Sequence, residues 1–241
     1  MSKKKLLLIV VPIALITSYF LVFFVFHKDV KAPIAIDEKP ITKPVVVAPI
    51  VYPVTLTIEQ ASSITVVVNK KHQLPEDYAP TLVPVAGGKM RQEAATELQR
   101  LLDDAANEGV SLKIISSYRS YSTQVSTYNG WVAQYGQAEA DTFSARPGYS
   151  EHQTGLAVDL GNSDGSCALE TCFGITIGGQ WIATNAVNYG FIIRYPEGKD
   201  ALTGYKYEPW HLRFVGLDLA KSIVKSGKTL DQYYNVEAGG Y

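Results

Sequence analysis

The chain has 241 residues, with 22 basic and 23 acidic side chains and 46% hydrophobic content. That near-neutral, globular composition argues against a nucleic-acid binder, which would carry a basic excess. Two cysteines, Cys167 and Cys172, are too few for an intracellular zinc finger without a nearby Cys/His set.

Met1 to Lys5 reads M-S-K-K-K, and Leu6 to Phe26 follows without a charge. At about 1.5 Å of rise per residue, such a helix would cross a hydrocarbon core of about 30 Å. Pro12 within it is tolerable in a membrane helix. The lysines favour a cytoplasmic N-terminus. A cleaved signal peptide would have a shorter apolar region followed by small residues. Here the run ends F-F-V-F-H-K-D. We expect a basic tip at 1–5 and an uncleaved transmembrane anchor at 6–26, which would hold the domain outside the cell membrane. From 27 to 53, prolines at 33, 40, 44, 49 and 53 exclude a helix and predict an extended spacer. The alternative is a strand between Val54 and Val68 that packs on the domain. The domain itself is expected over 54–241, with its motifs between 74 and 225.

Within the domain, Ala94, Ala95, Leu98, Leu101, Leu102 and Ala105 recur at helical steps and predict a helix over Gln92–Asn107, ended by Gly109. Val110–Ser116 then reads as a strand, and a helix followed by a strand points to an α+β fold. A second helix is expected over Ser122–Tyr135, with Tyr128, Trp131 and Tyr135 assigned to the core. Gln180–Tyr189 reads as a short helix, F-I-I-R-Y after Gly190 as a strand, and Leu217–Ser226 as a closing helix. Outside the cell, the simplest reading of the cysteine pair is a local disulfide; two thiols are the alternative.

Of four histidines, His27 flanks the anchor and His72 lies in a lysine-rich loop. His152 and His211 have more informative surroundings. After His152 the apolar run G-L-A-V-D ends in Asp159, a carboxylate that needs a cation or strong donors if buried there. Glu208 precedes His211 by three residues, but Pro209 between them excludes the helical H-E-x-x-H arrangement and predicts a turn leading into a strand. Four groups thus face three metal positions, a catalytic zinc site keeping its fourth place open. We assign His152, Asp159 and His211 to Zn2+ and Glu208 to general acid/base work. Arg119, at the end of a strand, is the choice for stabilising a developing oxyanion, with Arg146 and Arg194 as rivals. Arg146, beside Pro147, could instead brace its loop.

Three stretches, S-S-Y-R-S-Y-S-T-Q, then R-P-G-Y-S-E-H-Q-T-G-L-A-V-D, then E-P-W-H-L-R-F-V-G, resemble the signatures of the VanY-like D-alanyl-D-alanine carboxypeptidases, zinc peptidases related to lysostaphin and the hedgehog signalling domain. The resemblance implies the same ligands, His152, Asp159 and His211, the same acid/base Glu208, and Arg119 for polarising the substrate. It implies that Gln124 and Ser150, with Tyr118 and Ser120, line the substrate site. The fold it implies is a small antiparallel sheet carrying the zinc and flanked by helices. The implied partners are peptidoglycan stem peptides, from which a DD-carboxypeptidase removes the terminal D-alanine. An LD-carboxypeptidase trimming tetrapeptides and, from another class, a non-catalytic wall-binding module are the alternatives. No protein partner is indicated.

Overall fold

A computed structural model describes residues 58–241 of the chain. The expected basic tip, the anchor and the spacer lie outside the described residues. Among those described, no helix is long and apolar enough to cross a membrane.

A hairpin of β1 (Val83–Val85) and β2 (Gly88–Met90) precedes the first helix. Its two-residue turn has positive φ at both Ala86 and Gly87, the geometry that matches the twist of paired strands. Helix α1 (Gln92–Asn107) buries Ala94, Ala95, Leu98, Leu101 and Ala105, the stripe legible in the sequence. It packs on a four-stranded antiparallel sheet of order β3 (Leu112–Ser116), β4 (Ala157–Asn162), β6 (His211–Phe214), β5 (Phe191–Ile193). Helix α2 (Tyr121–Tyr135) and the short α3 (Gln137–Ala140) separate β3 from β4. Helix α4 (Ile177–Asn185) and a 3-10 turn over Ala186–Tyr189 lead into β5, and α5 (Asp200–Thr203) lies between β5 and β6. Helix α6 (Leu217–Ser226) has the expected bounds but does not close the chain; α7 (Leu230–Tyr234) follows.

Strand register sorts the sheet into two faces. Val158, Leu160, Leu212 and Phe214 join the apolar core with α1. Alternation then turns Asp159 and His211 to the opposite face, where they are direct cross-strand partners. Ala157 and Arg213 form the next pair on that face. The register alone therefore places a carboxylate against an imidazole at the centre of the sheet.

One alternative and one expectation need correction. The segment 58–68 forms turns rather than a strand, yet Val66, Val67 and Val68 are buried. It is held by side chains, Arg213 Nη2 donating to the carbonyls of Ile64 and Val66, and not by strand pairing. The aromatic residues of α2 are only partly core. Gln124 and Tyr128 are the residues the helix buries, and the same helical row then runs past the packed body. Trp131 is left 37% exposed and Tyr135 50%.

Candidate metal centre

His152 sits in a single 3-10 turn, Glu151–Thr154, between a Ser150 cap and Gly155. Gly155 has φ +70, and a Cβ there would meet Leu82 and Arg91, so only glycine lets the chain reverse into β4 at this point. That reversal brings His152 Nε2 to 3.2 Å from Asp159 Oδ2. From the neighbouring strand, His211 Nδ1 reaches 3.2 Å from Asp159 Oδ1. One ligand atom from each of the three residues lies within 4.8 Å of the others, and all three residues are buried.

The outer ring nitrogens fix the tautomers. His152 Nδ1 lies 2.7 Å from the Ser117 carbonyl, to which it donates, leaving the Nε2 lone pair directed at Asp159. His211 Nε2 lies 3.3 Å from Glu151 Oε2, which leaves Nδ1 facing inward. Both inner nitrogens and the carboxylate therefore present electron pairs to one point. Asp159 Oδ1 is buried and makes no aligned hydrogen bond, although His211 Nδ1 is close. A buried carboxylate oxygen left over in this way needs a cation. Ligands on a tetrahedral zinc stand about 3.3 Å apart, near the two spacings found. The donor set fits zinc, which takes histidine and carboxylate in sites that keep one position open.

Charge reinforces the geometry. Burial pushes the Asp159 carboxyl up, but the His152 and His211 imidazoles outweigh it and hold it well below the usual range. Burial opposes a proton on His211, yet the Asp159 and Glu151 carboxylates against its ring raise it to about 10. The same concentration of negative charge favours a divalent cation in place of that proton. Glu208 lies in the turn before β6, its N–H donating to the Tyr195 carbonyl and its own carbonyl accepting from His211 N. Its Oε2 is 3.7 Å from His211 Nδ1. Burial, opposed by His211 and reinforced by Asp159, pushes the Glu208 carboxyl up to about 8.

These residues open onto a cleft of about 780 Å³, which Arg119 and Ser150 also line. Arg119 donates from Nη1 to Gln124 Oε1 (2.8 Å) and from Nη2 to Ser116 Oγ (3.0 Å), so its guanidinium is fixed before any substrate arrives. Gln124 is fully buried, its Nε2 donating to the Ala145 carbonyl, and it is not among the lining residues. Neither are Tyr118 and Ser120. Ser120 caps α2 by accepting from Thr123 N, and Tyr118 N donates to the Lys89 carbonyl at the hairpin. Of the four residues expected to touch substrate, Ser150 alone lies on the cleft surface. Of the rival arginines, Arg146 is paired with Asp141, bracing its loop, and Arg194 is buried against Glu151 and Asp231.

The sequence reading missed two features. Trp131, Tyr135 and Phe143 form an aromatic cluster on the cleft, with Phe143 standing nearly perpendicular to both neighbours at 5.6 and 5.8 Å. Glu151, beside His152, is buried and holds His211; the only local signal was its position inside the S-E-H run. Cys167 and Cys172 are joined in a disulfide, and the loop they close contributes Leu169, Glu170 and Thr171 to the cleft.

An aspartate and a histidine paired across an antiparallel sheet, a second histidine from the turn leading into it, and a buried glutamate beside them define a mononuclear metallohydrolase centre. Residues 87–217 match the VanY family model, described as D-alanyl-D-alanine carboxypeptidase. The chain belongs to that family. It is 40% identical over 189 residues to the putative carboxypeptidase YodJ of Bacillus subtilis, covering 74% of this chain and 69% of that protein. Among solved structures it resembles the LD-carboxypeptidase LdcB, with 38% identity, a TM-score of 0.67, and coverage of 76% of this chain and 90% of that one. It also resembles a vancomycin-resistance D,D-pentapeptidase VanY solved in complex with Zn(II), with 32% identity, a TM-score of 0.64, and coverage of 73% and 100%.

Proposed function

We propose that the protein is a zinc-dependent carboxypeptidase that removes the terminal D-alanine from peptidoglycan stem peptides, with His152, Asp159 and His211 holding the metal. The observation that carries this reading is the inward convergence of three electron-pair donors on a point beside Glu208 and Arg119. When bound, zinc supplies Lewis acidity that polarises the scissile carbonyl and makes water a nucleophile near neutral pH. The Glu208 carboxylate takes the proton of the attacking water and hands it to the amide nitrogen of the departing D-alanine. Burial raises the Glu208 carboxyl above its usual range, which strengthens it as a proton acceptor. Arg119, preset by Gln124 and Ser116, faces the oxygen on which negative charge develops. Ser150 at the cleft surface contacts the substrate, and the aromatic cluster receives its upstream residues.

An LD-carboxypeptidase acting on tetrapeptide stems is the second reading, favoured by the higher identity to LdcB than to the zinc-bound VanY. Incubating the purified protein and zinc with a pentapeptide and, separately, a tetrapeptide separates the two by product mass. Loss of one alanine from the pentapeptide alone supports the DD reading. Loss from the tetrapeptide alone replaces it with the LD reading, and cleavage of neither refutes both.

We further propose that Leu6–Phe26 anchors the protein in the cell membrane with its N-terminus inside, the spacer holding the domain off the outer surface. The uncharged run behind a lysine-rich tip supports this. Recovery of the cellular protein from the membrane fraction with Met1–Lys5 intact is the expected result; a shortened soluble form would refute it.

A further inference from the structure

His152 and His211 are held from behind in different ways. His152 has a backbone carbonyl, whereas His211 has the Glu151 carboxylate, which is tied into a buried ionic chain. Glu151 Oε1 accepts from Arg194 Nε at 2.8 Å and from Arg213 Nη1 at 2.7 Å. Arg194 then grips Asp231 of α7 with both terminal nitrogens, at 2.6 and 3.0 Å. Asp231 also accepts from Asn69 Nδ2 at 2.8 Å, and Arg213 donates further to the carbonyls of Ile64, Val66 and Phe214. All four charged side chains are essentially inaccessible to solvent. Two cations offset two anions, so the group carries no net charge.

Such a quartet is an expensive way to fill a core, because desolvating four ions offsets most of their mutual attraction, and apolar side chains would serve stability as well. Its placement makes better sense than its stability. With both guanidiniums on Oε1, the other oxygen of Glu151 is fixed in the direction of His211 Nε2. An anionic acceptor on the outer nitrogen of a metal-bound imidazole sets the ring's orientation and raises its basicity.

We infer that Glu151 is the positioning residue of His211, and that through Arg194 the C-terminal helix α7 sets how tightly the protein holds its metal. The inference rests on the reading of His211 as a ligand. Asp231 is not among the residues lining the cleft, yet the chain of contacts makes it an adjuster of metal affinity.

The test measures zinc affinity by chelator competition on the full chain, with the visible spectrum of the cobalt(II)-substituted protein as a second readout. Glu151→Gln is expected to weaken zinc about 10- to 100-fold, the range for partners behind a ligand, and to shift the cobalt spectrum. Asp231→Asn should weaken it in the same direction by a smaller factor, also with a spectral shift. Leu230→Ala, which deletes a fully buried apolar side chain on the same helix, should lower the melting temperature and leave affinity and spectrum unchanged. Should Glu151→Gln not fold, Asp231→Asn and Leu230→Ala still decide the matter. Wild-type affinity and spectrum in Asp231→Asn, or equal weakening by Leu230→Ala, would overturn the positioning role. A wild-type chain that takes up no zinc would instead overturn the metal reading beneath it.

Discussion

The cleft joins two kinds of surface. At the sheet, β4 and β6 present ionisable groups that are buried and fixed by strand register. At α2, Trp131 and Tyr135 present partly exposed aromatic rings. Chemistry at a peptide bond needs groups held within tenths of an ångström, which cross-strand pairing supplies. Choosing a substrate needs area, and a helical row that runs past the packed body supplies it without disturbing the sheet. The contrast teaches that damage to the sheet surface should remove turnover, while damage to the helix surface should change which substrate is held.

The largest effect is expected from His211→Ala. It removes one of three proposed metal donors and leaves Glu151 Oε2 without its partner, so zinc and activity should both be lost, as checked by metal content and peptide release. Arg119→Met should keep the metal but lower kcat by about 10²-fold, the scale for losing one preset donor to a developing oxyanion. A full rate in that variant would remove Arg119 from the reaction. Trp131→Ala should raise KM for a stem pentapeptide about two- to tenfold with kcat little changed, the worth of one aromatic contact. A fall in kcat with unchanged KM would put this surface with the sheet and break the contrast. The smallest effect on turnover is expected from Cys167→Ser with Cys172→Ser. Opening that short loop should cost about 2 kcal/mol of stability, read as a lower melting temperature, with the zinc content intact.

Local pattern explains which parts of this architecture could be read in advance. Helix α1 has the bounds its apolar periodicity indicated, and α6 those expected for it. The turn before His211 followed from Pro209, and the carboxylate Asp159 stood out as a charge ending an apolar run. The ionic chain behind His211 was not legible, because its members pair over sequence separations of 37, 43 and 62 residues. Its one trace was an arginine inside or directly after each of two apolar strands, F-I-I-R and H-L-R-F. Beyond Tyr128 the aromatic row of α2 was misread, because a stripe at helical spacing looks the same whether it packs on a core or overhangs a cleft. Only the length of the helix relative to the body beneath it decides, and that is a tertiary fact.

The central claim is that three donors hold zinc while Glu208 moves the protons. Glu208→Ala tests it most directly, with metal content and D-alanine release measured on the same sample. One zinc per chain and no release of D-alanine is the expected result. Loss of the zinc together with activity would make Glu208 a ligand, and retained activity would remove it from the mechanism altogether.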